Sequence, residues 1–284
     1  MRNQKYLSPP AKSLLNVSLF KDTRIKVLGI PYDSGQTFAT GSRFAPHYIR
    51  LASDSIEEFS IILQKDVREA DVSDWGDLIV SHGDFNETKR RFHETLEGLA
   101  ASRYVFIGGD HTITIFSIPF LKNKVRRYVH LDAHADFEDS YLGSKYNHDC
   151  VLRRVGELLG WDKIVLVGLR SVSKKGLKDL KEIGIEYYTS IEVEENPEIL
   201  CDILSRADYI SIDMDVFDPA YAPEVGNPEP LGLSPQKVFK CIKKIDPVAI
   251  DITEAIPTKL NSQTAILAAS LLREIIIVMD EKLS

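Results

Sequence analysis

The chain carries the run His130-Leu131-Asp132-Ala133-His134-Ala135-Asp136 directly after Arg126-Arg127-Tyr128-Val129, which reads as a buried β-strand entering a loop. Side chains two apart on a strand share a face. Asp132, His134 and Asp136 can therefore converge on one point at the strand's carboxyl end. Two carboxylates and an imidazole brought together are costly unless a positive charge sits between them. A divalent metal is the simplest such charge; the plain alternative is a polar strand end.

Two further strand ends repeat the pattern. His111 follows Val105-Phe106-Ile107, and Asp213-Met214-Asp215, again with two-residue spacing, follows Tyr209-Ile210-Ser211-Ile212. Six candidate ligands result: His111, Asp132, His134, Asp136, Asp213 and Asp215. Four carboxylates packed together repel, and two divalent cations cancel their formal charge. Six ligands serve two metals only if some carboxylates bridge, and Asp132 and Asp213 are the natural bridges. Oxygen-rich ligation with two imidazoles favours Mn²⁺ over Zn²⁺. A metal pair about 3.5–4 Å apart generates hydroxide near neutral pH, the chemistry of metal-assisted hydrolysis.

These residues need a frame that brings three strand ends together. Strands are expected over residues 25–30, 67–75, 103–107, 163–168, 185–188, 209–213 and 248–253, besides the one entering the run at 130–136. Helices are expected over 43–53, 86–101, 150–159, 174–183, 197–205, 234–245 and 262–279, with a short one starting near 108–111. Ser234-Pro235 reads as an N-cap with proline at the first helical position. Such alternation implies βαβ units, hence an α/β fold with a mostly parallel sheet and helices on both faces. Sites in such folds lie at the carboxyl ends of the strands. No linker divides the chain, so residues 25–284 are expected as one domain, preceded by an arm over 1–24 that lies on the domain or on a neighbour.

The 284 residues are 44% hydrophobic, enough for a substantial core, and no repeat or low-complexity tract stands out. The net charge of -7 argues against a nucleic-acid partner, and the short basic clusters 89–91 and 126–127 read as solvated faces. Cys150, Cys201 and Cys241 are far apart and odd in number, so no disulfide framework is expected and a reducing cytoplasm is favoured. Cys150 reads as packing. The longest apolar run, residues 275–279, is far below the roughly 18–20 residues that cross a bilayer, and no apolar signal core opens the chain. A cytoplasmic protein without a membrane partner is expected.

Gly108-Gly109-Asp110-His111, Asp132-Ala133-His134-Ala135-Asp136 and the run Ser211 through Pro219 resemble the three metal motifs of the ureohydrolase (arginase/agmatinase) family, in the same order and at similar spacing. The resemblance continues through Gly29-Ile30-Pro31-Tyr32-Asp33, Gly41 to Pro46, and Asp251-Ile252-Thr253-Glu254-Ala255-Ile256-Pro257. It implies a three-layer α/β/α sandwich, two Mn²⁺ per subunit, and hydrolysis of a guanidino group to urea. By motif, His111, Asp132, Asp136 and Asp213 would hold one metal, and His134, Asp132, Asp213 and Asp215 the other. Asp136 would also accept a hydrogen bond from the nucleophile. Glu254 would pair with the guanidinium, a planar cation that a carboxylate meets with two hydrogen bonds. His148 would pass a proton to the leaving amine. His130 shares the face by parity but lies deeper and has no counterpart among the family's ligands.

The loop from Tyr141-Leu142-Gly143 to Asn147-His148 resembles prokaryotic agmatinases more than arginases, which implies agmatine as substrate and putrescine and urea as products. Lys145 keeps guanidino acids open, so arginase, guanidinobutyrase or formiminoglutamase activity are the alternatives, and an inactive metal-binding regulatory subunit is the reading of a different class. Departures from the family pattern are Ala45, Asp149 after His148, Ala255-Ile256 after Glu254, and Leu260. Family members assemble as trimers or hexamers, so a homo-oligomer is expected.

Overall fold

The computed structural model describes residues 5–283. The first four residues of the expected arm and the last residue of the expected domain lie outside the described residues. In chain order the elements are β1 (Leu7–Ser8), β2 (Ser18–Leu19), β3 (Ile25–Ile30), α1 (Ala45–Ala52), β4 (Phe59–Ser60), β5 (Lys65–Asp66), β6 (Val72–Leu78), α2 (Phe85–Glu97), β7 (Arg103–Gly108), α3 (Ile113–Leu121), β8 (Tyr128–Leu131), α4 (Val151–Leu159), β9 (Ile164–Leu169), α5 (Lys174–Ile183), β10 (Glu186–Thr189), α6 (Ser190–Glu195), α7 (Pro197–Ser205), β11 (Tyr209–Asp213), α8 (Pro235–Cys241), β12 (Ala249–Thr253) and α9 (Gln263–Glu281).

The main sheet runs β1-β6-β3-β7-β12-β11-β8-β9-β10, with β2 pairing β6 as well. Every pairing in it is parallel except β1 with β6. Alternate residues of each strand feed two separate cores. On β7, Val105 and Ile107 join a core with Ile49 of α1, Leu200 of α7, Val238 of α8 and Leu272 of α9. Tyr104 and Phe106 join the other, with Phe92 of α2, Phe116 of α3, Val155 of α4 and Leu180 of α5. This period-2 division of one hydrophobic strand makes the sandwich three-layered, as expected.

Part of the arm is tied to β6 through a buried carboxylate. Arg50 is buried and donates to both oxygens of Asp74 at 2.8 and 3.0 Å and to Asp77 at 2.5 Å, while the Leu14 amide donates to Asp74 at 2.8 Å.

Several expectations shift. The strand expected over 67–75 begins at Val72, because residues 67–69 form a single helical turn capped by Asp66, whose side chain accepts from the Arg68 amide. Helix α6 was not expected; its signal is the capping box Thr189-x-x-Glu192, formed in both directions. Ser234 does not cap α8 through its side chain, since its hydroxyl donates to Glu194 at 3.1 Å. The expectation of no disulfide is overturned: Cys201 on α7 is bonded to Cys241 on α8. Their 40-residue separation concealed that these two helices pack side by side. Cysteine usage therefore no longer argues for a reducing compartment. Among the described residues no helix is long and apolar enough to cross a membrane.

Candidate metal centre

Sheet register brings the three motifs together. β7, β12, β11 and β8 are adjacent, and Ile252 pairs with Ile107, Asp213 with Thr253, and Ile212 with Leu131. Asp132 and Asp213 thus emerge level on neighbouring strands, Glu254 emerges one residue beyond β12, and His111 lies just past β7. All four are buried. Asp136 and Glu254 adopt φ of 45° and 61°. Such left-handed backbone is unfavourable for non-glycine residues and costs about 1–3 kcal/mol where the surroundings impose it.

The six expected ligands come together as two overlapping clusters. In the first, His111 Nδ1 lies 3.2 Å from Asp132 Oδ2, 3.3 Å from Asp136 Oδ2 and 3.2 Å from Asp213 Oδ2. In the second, His134 Nδ1 lies 2.9 Å from Asp215 Oδ2 and 3.5 Å from Asp132 Oδ1. Asp132 offers one oxygen to each cluster. Backbone amides orient the carboxylates: His134 N donates to Asp132 Oδ1 at 2.6 Å, Asp215 N to Asp213 Oδ1 at 2.8 Å, and Ala133 N to Asp215 Oδ1 at 3.1 Å.

This donor set fits cations. His111 Nδ1 and Asp132 Oδ2 are buried without a hydrogen-bond partner although they stand at contact distance. Leaving two such atoms unpaired costs about 1–3 kcal/mol each, a cost that an ion between them removes. Burial and the Asp132 charge push the Asp136 carboxyl well above the ordinary range; burial, Asp215 and Asp132 do the same to Asp213. Burial pulls the His134 imidazolium down, but Asp215 and Asp132 outweigh it and push it up to about 12. The cluster thus gathers protons to offset its negative charge, and divalent cations do so without protonating the ligands.

Beyond the ligands, a second tier acts on them. His111 Nε2 is 2.8 Å from Ser211 Oγ, which in turn contacts Asp251 Oδ1; Asp251 Oδ2 accepts from the Tyr209 hydroxyl at 2.5 Å and from the Thr114 hydroxyl at 2.7 Å. This chain orients the imidazole so that Nδ1 faces the carboxylates. Asn227 Nδ2 is 3.0 Å from His134 Nε2.

A cavity opens over the clusters, lined by His134, Asp136, Asp213 and Asp215 and by His148, Asp149, Glu254, Tyr141, Asn227 and the loop Gln36 to Ala39. Glu254 Oε1 accepts from the His111 amide at 2.8 Å and Oε2 from Gln36 Nε2 at 2.6 Å. Burial raises its carboxyl to about 7 against those donors. His148 begins a helical turn capped by Asn147, sits edge-on to Tyr141 and leaves its buried Nδ1 without a hydrogen-bond partner.

Gln36 was missed because a loop glutamine has no sequence signal; only the fold sets it beside Glu254. His130, set aside on sequence, is fully buried against the first cluster, with Nε2 2.9 Å from Asp132 Oδ2. The motif glycine Gly109 has a steric reason: a Cβ there would lie 1.9 Å from the Tyr32 carbonyl oxygen. Gly109→Ala is therefore expected to force the segment leading to His111 outward, costing about 3 kcal/mol. A denaturation midpoint equal to that of the wild type would contradict this packing.

The model of the Arginase family matches residues 23–278. The chain is 34% identical over 258 residues to N(1)-aminopropylagmatine ureohydrolase of Thermococcus kodakarensis, covering 88% of each chain. It is 32% identical over 263 residues to an agmatinase of Pyrococcus horikoshii, covering 89% of this chain and 90% of that one. Among solved structures, the agmatine ureohydrolase of Thermoplasma volcanium superposes with a TM-score of 0.84 at 34% identity, covering 95% of this chain and 94% of the other.

Proposed function

The chain belongs to the arginase family and is a hydrolase acting on guanidino groups, and we propose that its own reaction is the cleavage of agmatine to putrescine and urea with two Mn²⁺ ions per subunit. One observation carries the choice of substrate: no lysine or arginine lines the cavity over the clusters among the described residues, whereas Asp149 and Glu254 do. A substrate tail bearing a carboxylate has no cation to meet there, and a tail ending in an amine has a carboxylate. Lys145, which kept guanidino acids open, points instead to Asp139 at 3.6 Å on the surface.

In this reading His111, Asp132, Asp136 and Asp213 hold one ion and His134, Asp132, Asp213 and Asp215 the other. The oxygen-rich set favours manganese over zinc. When bound, the ions supply Lewis acidity and a deprotonated water at neutral pH. The remaining work falls to side chains. Glu254, held in place from both sides by His111 N and Gln36, keeps its remaining lone pairs for the planar guanidinium. Asp136 accepts a hydrogen bond from the nucleophile and aligns it with the guanidinium carbon. His148, with Nδ1 uncommitted, delivers the proton that the departing amine requires. Residues 25–284 act as one catalytic domain in a homo-oligomer, a trimer or hexamer.

A longer substrate, N(1)-aminopropylagmatine, has its own support. A second cavity adjoins the first, shares His134, Asp136 and Asp149 with it, and adds Glu138, again without lysine or arginine. It offers space and negative charge for an additional amine. The test is product release with Mn²⁺ across agmatine, N(1)-aminopropylagmatine, arginine, guanidinobutyrate and formiminoglutamate. The highest kcat/KM is expected for agmatine. Preference for the aminopropyl compound selects the second reading, and preferred cleavage of arginine or a guanidino acid overturns both.

A further inference from the structure

His130 lies within the first cluster although nothing in the ligand assignment uses it. Its ring stacks on His111, with centroids 4.4 Å apart and planes 5° from parallel. Its Nδ1 is 2.7 Å from the Tyr128 hydroxyl. Its Nε2 is 2.9 Å from Asp132 Oδ2 and 3.9 Å from Asp136 Oδ2. Both Nε2 and Asp132 Oδ2 are buried, and neither is engaged by a hydrogen bond. The two atoms are at bonding distance but out of line.

A buried ring nitrogen left unpaired costs about 1–3 kcal/mol, and a phenylalanine would fill the same space against His111 without that cost. The nitrogen therefore has a use. The atom 2.9 Å from Nε2 is a carboxylate oxygen, which repels a lone pair and attracts an N–H. With the Tyr128 hydroxyl donating to Nδ1 the ring carries its proton on Nε2, the tautomer that the Asp132 oxygen 2.9 Å away favours. The terminal torsion of an aspartate is soft, so a small turn of the Asp132 carboxylate completes the hydrogen bond.

We propose that His130 is a positioning residue of the cation centre: through Nε2–H it holds the shared Asp132 carboxylate in the orientation the first cluster requires. The inference rests on the two-cation reading of the site. It differs from that reading in giving His130, whose ring nitrogen stands with His111, Asp132 and Asp136 where an ion could be held, the role of hydrogen-bond donor to a ligand in place of ligand.

The experiment is calorimetric titration of metal-free protein with Mn²⁺. His130→Phe keeps the stacked ring and removes the donor; His130→Gln places an amide N–H near the Nε2 position. In the phenylalanine variant one of two sites is expected to weaken roughly 10–100-fold, the usual effect of losing an outer hydrogen-bond partner. The glutamine variant is expected to recover most of that loss. Phenylalanine and wild-type protein binding both ions equally tightly overturns the inference. So does a glutamine variant as weak as the phenylalanine one, since the role is then packing alone. If His130→Phe does not fold, Tyr128→Phe is read in its place: a several-fold weaker site supports the inference and unchanged affinity overturns it. A wild-type chain that takes up no Mn²⁺ overturns the two-cation reading itself, and the inference with it.

Discussion

Asp132→Asn is expected to empty both cation sites at once, with loss of roughly a thousandfold or more in urea release. Of the two carboxylates assigned to both ions, Asp132 has one oxygen beside each imidazole, Oδ2 toward His111 and Oδ1 toward His134. The asparagine amide keeps one oxygen, which the His134 backbone amide already engages at 2.6 Å. Its NH₂ then faces His111 Nδ1 where a cation would be, and donates where an acceptor is needed. The several kcal/mol that bound metals supply to the transition state disappears, which sets the size of the rate loss. His134→Ala is the informative contrast. It removes a donor from the second cluster alone, so one ion per subunit should survive dialysis. Elemental analysis of the dialysed proteins distinguishes the two; equal metal content in both variants would count against Asp132 as the shared ligand.

Glu254→Gln is expected to keep both ions and lose two to three orders of magnitude in kcat/KM. The variant's amide oxygen can still accept from the His111 backbone amide, so the first cluster stays supported. The other end becomes an NH₂ group facing Gln36 Nε2, a donor against a donor. Gln36 cannot turn its own amide to relieve this, because its Oε1 accepts from Gly41 N at 3.1 Å and Ser42 N at 3.2 Å. An incoming guanidinium, which has donors only, meets a donor in place of a carboxylate. Breaking a buried, hydrogen-bonded charge pair costs about 2–5 kcal/mol, which corresponds to the stated loss. The measurement is steady-state kinetics beside metal content. Unchanged kcat/KM removes Glu254 from guanidinium binding, and loss of the ions instead would make it a structural support for His111.

The elements that sequence reading located best are those whose burial is decided locally. The strands 25–30 and 209–213 and the helices 174–183 and 197–205 coincide with the observed bounds. Each is a short apolar run or an amphipathic repeat closed by clear start and stop residues. Misplacements occurred where a side chain chose between competing partners. Asp66 closed a helical turn where a strand was expected, and Ser234 turned to Glu194 instead of capping its own helix.

The sequence by itself determined the hydrolase class of this protein, that its candidate cation ligands gather at strand ends, and that strands alternate with helices. Two-residue spacing singled these residues out, but strand parity does not place them: β8 ends at Leu131 and β11 at Asp213, so the loop turning at Asp136 with φ of 45° and the helical turn 214–216 bring Asp136 and Asp215 to the clusters. Tertiary structure alone decided what joins across strands. The order β7-β12-β11-β8 and its register set Asp132 level with Asp213. The same packing brought Gln36 across to Glu254, Cys201 to Cys241, and the imidazole of His130 against the carboxylate that both clusters share. Contacts between residues distant in the chain depend on which elements pack together and in what register, and no local pattern encodes that.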